Sequence, residues 1–309
     1  MARVRVGRLV AGVLIWCLLL AGCSADPAPG PGSSPAATAS ASSGRVVVDV
    51  AGRPVQLVLP DHDAGGERRP LIVLLHGYRS SPADVASMFG VLATAGRHGA
   101  LVALPEGSKD RNGDRFWNAA KACCDFFGAQ VDDAGYLATV IRELTDSYRV
   151  DPARVFLMGH SNGGYMALRF GCDHADAVAA VVSVAGAMDP DAPCTPRRPV
   201  SVLQVHGVAD DTVRFEGGEI RGVRYTSAAQ TVETWRAADG CRGKAVTSTP
   251  LANDPDGFGA AVGAATWTGC PGGAEVGLWQ VSGAGHVPRF SRAAQAALLD
   301  WLLAHPRPA

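Results

Sequence analysis

The sequence predicts an α/β fold built on a mostly parallel central sheet. From residue 45 onward, short apolar segments alternate with amphipathic helical patterns, which is the order typical of a parallel sheet. Leu71–Leu75 is apolar at every position, as expected for a parallel strand that is buried on both faces. No internal repeat or second linker interrupts the pattern, so residues 45–309 are predicted to form one domain.

The predicted strands are short apolar runs bounded by turn residues or by the start of a helical pattern. The first two runs are separated by Ala51-Gly52-Arg53-Pro54 and are predicted to form a hairpin. In chain order, the predicted strands are Val46–Val50, Val55–Leu59, Leu71–Leu75, Ala100–Leu104, Arg154–Met158, Val178–Val184, Val200–Val205 and Glu275–Val281.

Four segments carry helical patterns. In Asp132–Tyr148 the apolar positions share one helix face, namely Leu137, Val140, Ile141 and Leu144. Asp132 and Asp133 are predicted to supply the N-cap and a first-turn acid of this helix. The other predicted helices are Gly163–Phe170, Thr226–Ala238 and Ser291–Ala304.

A basic and then apolar segment precedes the predicted domain. Three arginines come before the apolar run Leu9–Leu20, which is the order of a secretory signal peptide, and the run is too short to cross a bilayer comfortably. The run ends in Leu20-Ala21-Gly22-Cys23, which resembles the lipobox of bacterial lipoproteins. This resemblance implies that residues 1–22 are cleaved off and that Cys23 is lipidated. Ordinary signal cleavage beside an incidental Cys23 is the alternative.

The segment 23–44 is predicted to be a disordered tether. After Cys23 it contains only Ser, Ala, Gly, Pro, Thr and one Asp, so it has no apolar face to bury. A lipid anchor followed by such a spacer would hold the domain on the outer face of the cell membrane. Removal of residues 1–22 takes away three arginines and no acid, so the formal net charge changes from −1 to −4. This charge gives no support to a nucleic-acid partner.

Six cysteines follow the predicted anchor: Cys123, Cys124, Cys172, Cys194, Cys241 and Cys270. An even number in an exported chain favours three disulfides over a metal site. We expect Cys241 to pair with Cys270. The adjacent pair at 123 and 124 either bonds to Cys172 and Cys194 or forms a bond within itself, which would leave Cys172 to pair with Cys194.

The segment Gly159-His160-Ser161-Asn162-Gly163 matches the pattern G-x-S-x-G between a predicted strand and a predicted helix. A nucleophile elbow needs small residues two positions before and after the serine, because the turn is tight and strained. Such a turn lifts the serine hydroxyl clear of the carboxyl end of the strand. Ser161 is therefore the candidate nucleophile, and a glycine-rich turn with an exposed serine is the alternative.

A serine nucleophile needs a neighbouring base, and that base needs an acid to orient it. His286 follows the last predicted strand and precedes the last helix, which is where the base is expected. The acid is expected at an intervening strand end, and Asp210 and Asp211 follow Val200–Val205 there. The H-G-x-x-D spacing from His206 favours Asp210, with Asp211 solvated or capping the turn.

Two backbone N–H groups are expected to stabilise a developing oxyanion. One belongs to Asn162, the residue after the nucleophile. The other is expected from the loop after an early strand, and Leu75-His76-Gly77-Tyr78 makes the N–H of Tyr78 the candidate. The side chain of His76 is expected to brace that loop.

The segment 109–130 is predicted to be rich in loops and carries four aromatic residues, namely Phe116, Trp117, Phe126 and Phe127. Aromatic residues in a loop above a parallel sheet are candidates for substrate contact. We expect Phe116 and Trp117 to contact the substrate.

The chain resembles a family of secreted esterases that includes polyhydroxybutyrate depolymerases, feruloyl esterases and LpqC-type esterase lipoproteins. The resemblance covers most of residues 45–305 and rests on Leu74-Leu75-His76-Gly77-Tyr78, Phe116-Trp117-Asn118 with Cys123-Cys124, Val131-Asp132-Asp133, the elbow extended to Met166, and His206-Gly207 followed by Asp210. It implies an α/β-hydrolase fold with helices on both faces of the sheet and no large lid domain. It also implies ester cleavage through an acyl-enzyme, with no metal or organic cofactor. His286-Val287-Pro288 departs from the Trp-Pro that often follows the catalytic histidine in the family.

The resulting expectation is an extracellular, monomeric serine esterase. Its expected substrates are small or polysaccharide-linked esters, carrying feruloyl, other aryl, short-chain acyl or hydroxyalkanoate groups. The alternatives are an envelope acyltransferase that uses the same triad, a serine peptidase, and a non-catalytic tethered binding protein. The acidic segment Asn253-Asp254-Pro255-Asp256-Gly257 lacks the closing Glu of an EF-hand loop and is predicted to be a turn.

Overall fold

The computed structural model of the chain describes residues 44–60, 66–251 and 261–308. The predicted signal peptide, the lipidation site at Cys23, all but the last residue of the predicted tether and the acidic segment 253–257 lie outside the described residues. Within the described ranges, no helix has the length and apolar character needed to cross a membrane.

The described residues form a central sheet, two small hairpins and helices that flank the sheet. The strands are β1 Arg45–Val50, β2 Arg53–Val58, β3 Arg69–Leu75, β4 Leu101–Pro105, β5 Ser108–Lys109, β6 Arg115–Phe116, β7 Val150–His160, β8 Ala180–Val184, β9 Ser201–Gly207, β10 Gly218–Ile220, β11 Val223–Tyr225, β12 Val246–Ser248, β13 Val262–Trp267 and β14 Val276–Val281. The α-helices are α1 Pro82–Phe89, α2 Val91–Thr94, α3 Asp133–Ser147, α4 Asn162–Asp173, α5 Ala228–Ala238 and α6 Arg292–Leu303. Short 3₁₀ turns cover Ala95–His98 and Pro271–Gly273.

The central sheet has ten strands in the order β1-β2-β4-β3-β7-β8-β9-β14-β13-β12. The strands from β4 to β14 in this order run parallel to their neighbours. The strands outside them pair antiparallel, as β1-β2-β4 at one edge and β14-β13-β12 at the other. The carboxyl ends of the parallel strands therefore meet at one edge of the sheet, where ligands of such sheets bind.

Two apolar layers cover the two faces of the sheet. Along β3, Leu71, Val73 and Leu75 belong to the layer that contains buried residues of α3, α4 and α5. Ile72 and Leu74 belong to the other layer, which contains buried residues of α1 and α6. This alternation follows from the period-two side-chain direction of a strand, and each such buried side chain stabilises the fold by roughly 1.5–3 kcal/mol. Helices on both faces agree with the predicted fold class.

All eight predicted strands and all four predicted helices are present, with ends that differ by a few residues. β7 is longer than predicted, since it begins at Val150 rather than Arg154. Helix α1 was not predicted, although Ser81 and Asp84 form a capping box at its start. The antiparallel strands β12 and β13 and the hairpin β10–β11 were not predicted either.

The structure contains three disulfides. The predicted bond Cys241–Cys270 is confirmed. Of the two alternatives for the other four cysteines, the structure has the one in which Cys123 bonds to Cys124 and Cys172 bonds to Cys194. The peptide bond between Cys123 and Cys124 is cis.

Candidate active site

Ser161 lies on the turn between β7 and α4 with a left-handed backbone (φ 55°, ψ −122°). A non-glycine residue rarely adopts this conformation, and it is the strained geometry expected of a nucleophile elbow. The turn is held by the Ser161 N–H, which donates to the Val184 carbonyl over 2.8 Å. A side chain at Gly159 would overlap the carbonyl of Gly163, and one at Gly163 would overlap the carbonyl of Leu75. Both glycines are therefore required by the close approach of the backbone.

The three residues predicted as a triad lie in a line of hydrogen bonds. His286 Nε2 is 2.9 Å from Ser161 Oγ, and His286 Nδ1 is 2.9 Å from Asp210 Oδ2. The serine comes from the elbow, the aspartate from the turn after β9, and the histidine from the loop between β14 and α6. Nucleophile, base and acid would need this arrangement.

Asp210 is buried but is held as a carboxylate. Burial by itself raises the pKa of a carboxyl group, but here hydrogen bonds with His206 and His286 outweigh it and hold the pKa of Asp210 far below its usual value. Its Oδ1 also accepts the N–H groups of Thr212 and Val213, each over 2.9 Å. Asp211, the weaker candidate, is exposed and accepts only the Thr212 hydroxyl, over 3.3 Å.

His206 contacts the acid, Asp210, and the loop after it. Gln204 Nε2 donates to His206 Nδ1 over 3.1 Å, which leaves the imidazole proton on Nε2. That nitrogen lies 2.7 Å from the Val213 carbonyl and 3.3 Å from Asp210 Oδ2. His206 therefore contacts both the acid and the loop that carries it.

His160, inside the elbow, supports the base. Its Nε2 lies 2.8 Å from the backbone carbonyl of His286, so the ring must carry its proton there. Burial lowers the pKa of His160 to about 4, so the ring is neutral at physiological pH. This role of His160 was not predicted, because the contact joins residues 126 positions apart.

The candidate oxyanion donors lie beside Ser161. Asn162 is the first residue of α4, so its N–H has no partner within the helix. A Cβ built on Gly77 would lie 3.5 Å from the Ser161 Cβ, which places the Gly77-Tyr78 peptide next to the nucleophile. No described residue accepts a hydrogen bond from the Tyr78 N–H.

His76 fixes the orientation of that peptide. His76 Nε2 accepts the Gly107 N–H over 2.9 Å, so its proton is on Nδ1, which donates to the Gly77 carbonyl over 2.8 Å. The carbonyl of Gly77 and the N–H of Tyr78 belong to one trans peptide and point in opposite directions. Burial lowers the pKa of His76 to about 4 and keeps the ring neutral. A neutral, buried His76 thus sets the direction of the Tyr78 N–H.

The structure corrects the prediction that Phe116 and Trp117 contact the substrate. Both side chains are fully buried in the core. Trp117 instead joins the oxyanion loop to the elbow. Its Nε1 donates to the His76 carbonyl over 3.0 Å, and its backbone N–H and C=O form hydrogen bonds with the Asn162 amide over 2.7 and 2.8 Å. An aromatic residue in a loop can be buried and stabilise that loop, or it can be exposed and contact a ligand. The sequence did not distinguish these two cases.

A cavity of about 360 Å³ lies along α4, and no triad residue lines it. Its lining residues include Tyr165, four positions after Ser161, and Asn118, which follows Trp117. The remaining wall is the loop after β8, which includes Asp189. The ammonium of Lys121 lies 3.5 Å from the Asp189 carboxylate across the cavity wall. This cavity, rather than Phe116 and Trp117, is the candidate space for part of a substrate.

The described residues contain no group of His, Cys, Asp and Glu side chains that could hold a metal ion.

Comparison with known proteins identifies the family. A family model described as esterase PHB depolymerase matches residues 55–213, which is more than half of the chain. The chain belongs to this family. The matched range contains Ser161 and Asp210 and ends before His286. The resemblance that the motifs predicted is therefore confirmed.

Two relatives and one solved structure extend this comparison. Feruloyl esterase B from Piromyces equi is 28% identical over 243 residues, which are 76% of this chain and 42% of that protein. NocK from Nocardia uniformis subsp. tsuyamanensis is 33% identical over 219 residues, which are 67% of this chain and 62% of that protein. The chain thus spans about half the length of these curated relatives. Acetyl xylan esterase from Aspergillus awamori has a TM-score of 0.58 at 13% identity, over 81% of this chain and 93% of that chain. Together with the observed sheet, this likeness confirms the predicted α/β-hydrolase fold.

Proposed function

We propose that this member of the esterase PHB depolymerase family is a serine esterase that cleaves carboxylic esters through an acyl-enzyme. The observation that carries the proposal is the continuous hydrogen-bonded line from Asp210 through His286 to Ser161, with both links at 2.9 Å. The family to which the chain belongs and the esterase names of its relatives support the same reaction.

In the proposed mechanism, Ser161 Oγ attacks the ester carbonyl while His286 Nε2 takes the hydroxyl proton. The ionised Asp210 stabilises the imidazolium that forms. The N–H groups of Asn162 and Tyr78 stabilise the oxyanion of the tetrahedral intermediate, which then collapses as His286 gives its proton to the departing alcohol. Water, activated by His286, next attacks the acyl-enzyme and releases the acid. Each step needs only this chain and water.

The proposed substrates are small or polysaccharide-linked esters with feruloyl, other aryl, short-chain acyl or hydroxyalkanoate groups. The cavity lined by Tyr165 and Asn118 is proposed to hold one side of the ester. We further propose that the enzyme acts as a monomer outside the cell, tethered through a lipid on Cys23. Three disulfides fit an oxidising compartment.

The first test is turnover of p-nitrophenyl acetate, p-nitrophenyl butyrate and methyl ferulate by the full chain and by Ser161→Ala. We expect activity that falls by about 10³-fold or more in the variant, because the nucleophile is lost. The wild-type chain should also become labelled by a fluorophosphonate, and the variant should not. A folded, oxidised wild-type chain that neither turns over an ester nor becomes labelled would contradict the proposal. Labelling without hydrolysis would favour acyl transfer to an alcohol acceptor by the same triad.

A further inference from the structure

The hairpin β10–β11 contacts both the segment after Asp210 and the segment after the vicinal disulfide Cys123–Cys124. It follows the segment that holds the acid, and at its base the Arg214 N–H donates to the Tyr225 hydroxyl over 2.9 Å. At its tip, the guanidinium carbon of Arg221 lies 4.1 Å from the centroid of the Phe126 ring and 6.0 Å from that of Phe127. The tip thus lies over residues of the segment that follows the vicinal disulfide.

Phe126 connects this tip to the oxyanion loop. Its ring packs edge-on against Tyr78, with the two centroids 5.2 Å apart. Tyr78 is the proposed oxyanion donor beside Ser161. The hairpin therefore extends from the acid side of the site to the oxyanion side, and Arg221 lies one aromatic ring beyond Tyr78.

A second guanidinium lies over one of these two rings, that of Phe127. Arg111 is 4.1 Å from the centroid of Phe127. A cation over a phenyl face is attracted by the ring quadrupole, which holds the flat guanidinium in place. Its N–H edge is then left to bind an anion with two parallel hydrogen bonds.

The neighbouring carboxylates are already engaged by other groups. Asp110 accepts the Tyr78 hydroxyl over 3.0 Å together with two backbone N–H groups, and Asp114 pairs with Arg79 at 2.7 Å. Asp125 accepts two backbone N–H groups of its own loop, over 2.8 and 2.6 Å.

On the hairpin, Glu219 lies opposite Arg224, which in turn pairs with Asp191 at 3.2 Å. Among the described residues, no carboxylate lies within ion-pair distance of Arg111 or Arg221. Within the described part of the chain, Arg111 and Arg221 are therefore two guanidinium groups held over aromatic rings without a paired carboxylate.

We propose that Arg221 and Arg111 form a distal subsite for a carboxylate carried by the ester substrate. The inference rests on the proposed esterase function and adds a substrate class, namely anionic esters. The carboxylate belongs either to the acyl part, as in a hemi-ester of a dicarboxylic acid, or to the alcohol part, as in a uronate. Two guanidinium groups recognise the charge and the planar shape of a carboxylate, whether it belongs to the acyl part or to the alcohol part.

The kinetic test compares matched esters with and without a carboxylate. Hemiglutarate and butyrate esters of p-nitrophenol place the charge on the acyl side, and 4-carboxyphenyl butyrate and phenyl butyrate place it on the alcohol side. For each pair we measure the ratio of kcat/KM for the anionic ester to that for the neutral ester. Arg221→Gln and Arg111→Gln should each lower this ratio by about 5- to 20-fold for one of the pairs, and that pair identifies the side.

Arg224→Gln is the matched control, because Arg224 lies on the same hairpin and already pairs with Asp191. We expect it to leave the ratio unchanged. In wild-type protein, 1 M NaCl should move the ratio toward that of Arg221→Gln, since the Debye length falls to about 3 Å. Ratios that do not respond to Arg221→Gln, or that respond equally to Arg224→Gln, would overturn the subsite.

A binding measurement separates this proposal from the esterase proposal. Isothermal titration of the full chain with 3-phenylpropionate and with the neutral 3-phenylpropanol needs no turnover. We expect the carboxylate to bind more tightly than the alcohol, and Arg221→Gln to weaken its binding about fivefold or more while Arg224→Gln does not. Equal binding of the two probes would overturn the subsite even in an active esterase. Selective binding in a chain that cleaves no ester would sustain the subsite and contradict the esterase.

Discussion

Asp210 is a carboxylate that the surrounding residues keep ionised in a buried position. Four groups contact its two oxygens, and these are two backbone N–H groups and two imidazole rings. A buried charge with this many partners is stabilised where it is, and it holds His286 in the tautomer that leaves Nε2 free to accept a proton.

Replacement of Asp210 by Asn should therefore remove most activity without unfolding the chain. We expect kcat for p-nitrophenyl butyrate to fall by about 10³–10⁴-fold with little change in KM, because the acid does not bind the substrate. Asp211→Asn is the control, because it removes a carboxylate charge at the position next to Asp210. Its kcat should stay within about twofold of the wild-type value. Similar losses in both variants would assign the effect to the loop rather than to the acid.

His76 is the other residue whose predicted role can be tested directly. His76→Ala should lower kcat by about 10²-fold, because the Gly77 carbonyl loses the donor that orients the Tyr78 N–H. Asn can place an amide N–H near the position of Nδ1, so His76→Asn should recover part of this loss at similar thermal stability. If the two variants lose activity only in proportion to their loss of stability, His76 is structural alone.

At the scale of elements, the turn between β7 and α4 fixes the position of the nucleophile. Gly163 packs directly on the end of β3, so the helix starts as close to the sheet as a backbone allows. This close packing brings Ser161, the oxyanion loop and the first turn of α4 together.

A methyl group at position 163 should separate these elements. Gly163→Ala is expected to lower the free energy of unfolding by at least about 2 kcal/mol and kcat/KM by tenfold or more. Gly263→Ala is the matched control, since a Cβ at this position of β13 meets nothing within 4 Å, and it should be neutral or slightly stabilising. Denaturant unfolding and ester turnover of both variants give the comparison, and an unaffected Gly163→Ala would contradict the packing argument.

The central strands could be predicted from local signals, and the order of strand ends along the chain indicated the three residues that the structure joins by hydrogen bonds. Leu71–Leu75 is apolar throughout, which identified a buried strand. Ser161 lies in a five-residue motif, and the glycines that shape its turn are part of that motif. The roles of His160 and Trp117 could not be predicted, because they depend on partners 41 to 126 residues away. The last two strands of the sheet, β13 and β12, are partly exposed and carry no continuous apolar run, so the sequence pattern there was weak.

At the scale of the whole molecule, one buried acid should make stability depend on pH. Asp239 follows α5 and is 2% exposed; one carboxylate oxygen accepts the Val200 N–H over 3.2 Å, and no described residue bonds to the other. Burial, opposed only by this hydrogen bond, raises the pKa of Asp239 to about 7. The folded state therefore binds a proton that the unfolded state has released between about pH 4 and pH 7.

The stabilisation from the protonated Asp239 is complete below about pH 4 and is lost as pH rises through about 7. At pH 8 we expect Asp239→Asn to raise the free energy of unfolding by about 1–3 kcal/mol relative to wild type, and at pH 4 by much less. Asp146→Asn, at an exposed position, should change neither value. Urea unfolding at both pH values tests this, and an equal effect of Asp239→Asn at pH 4 and pH 8 would contradict it.

The position of β14 in the sheet has a consequence for biosynthesis. This strand comes late in the chain, yet it lies between β9 and β13, and the loop after it supplies His286. A chain emerging from the ribosome or the export channel thus holds Ser161 and Asp210 long before it has a base to activate the serine. The chain is expected to become able to hydrolyse esters in one step, when β14 joins the sheet. Partly made or truncated chains would then carry a nucleophile that is harmless to the cell producing it.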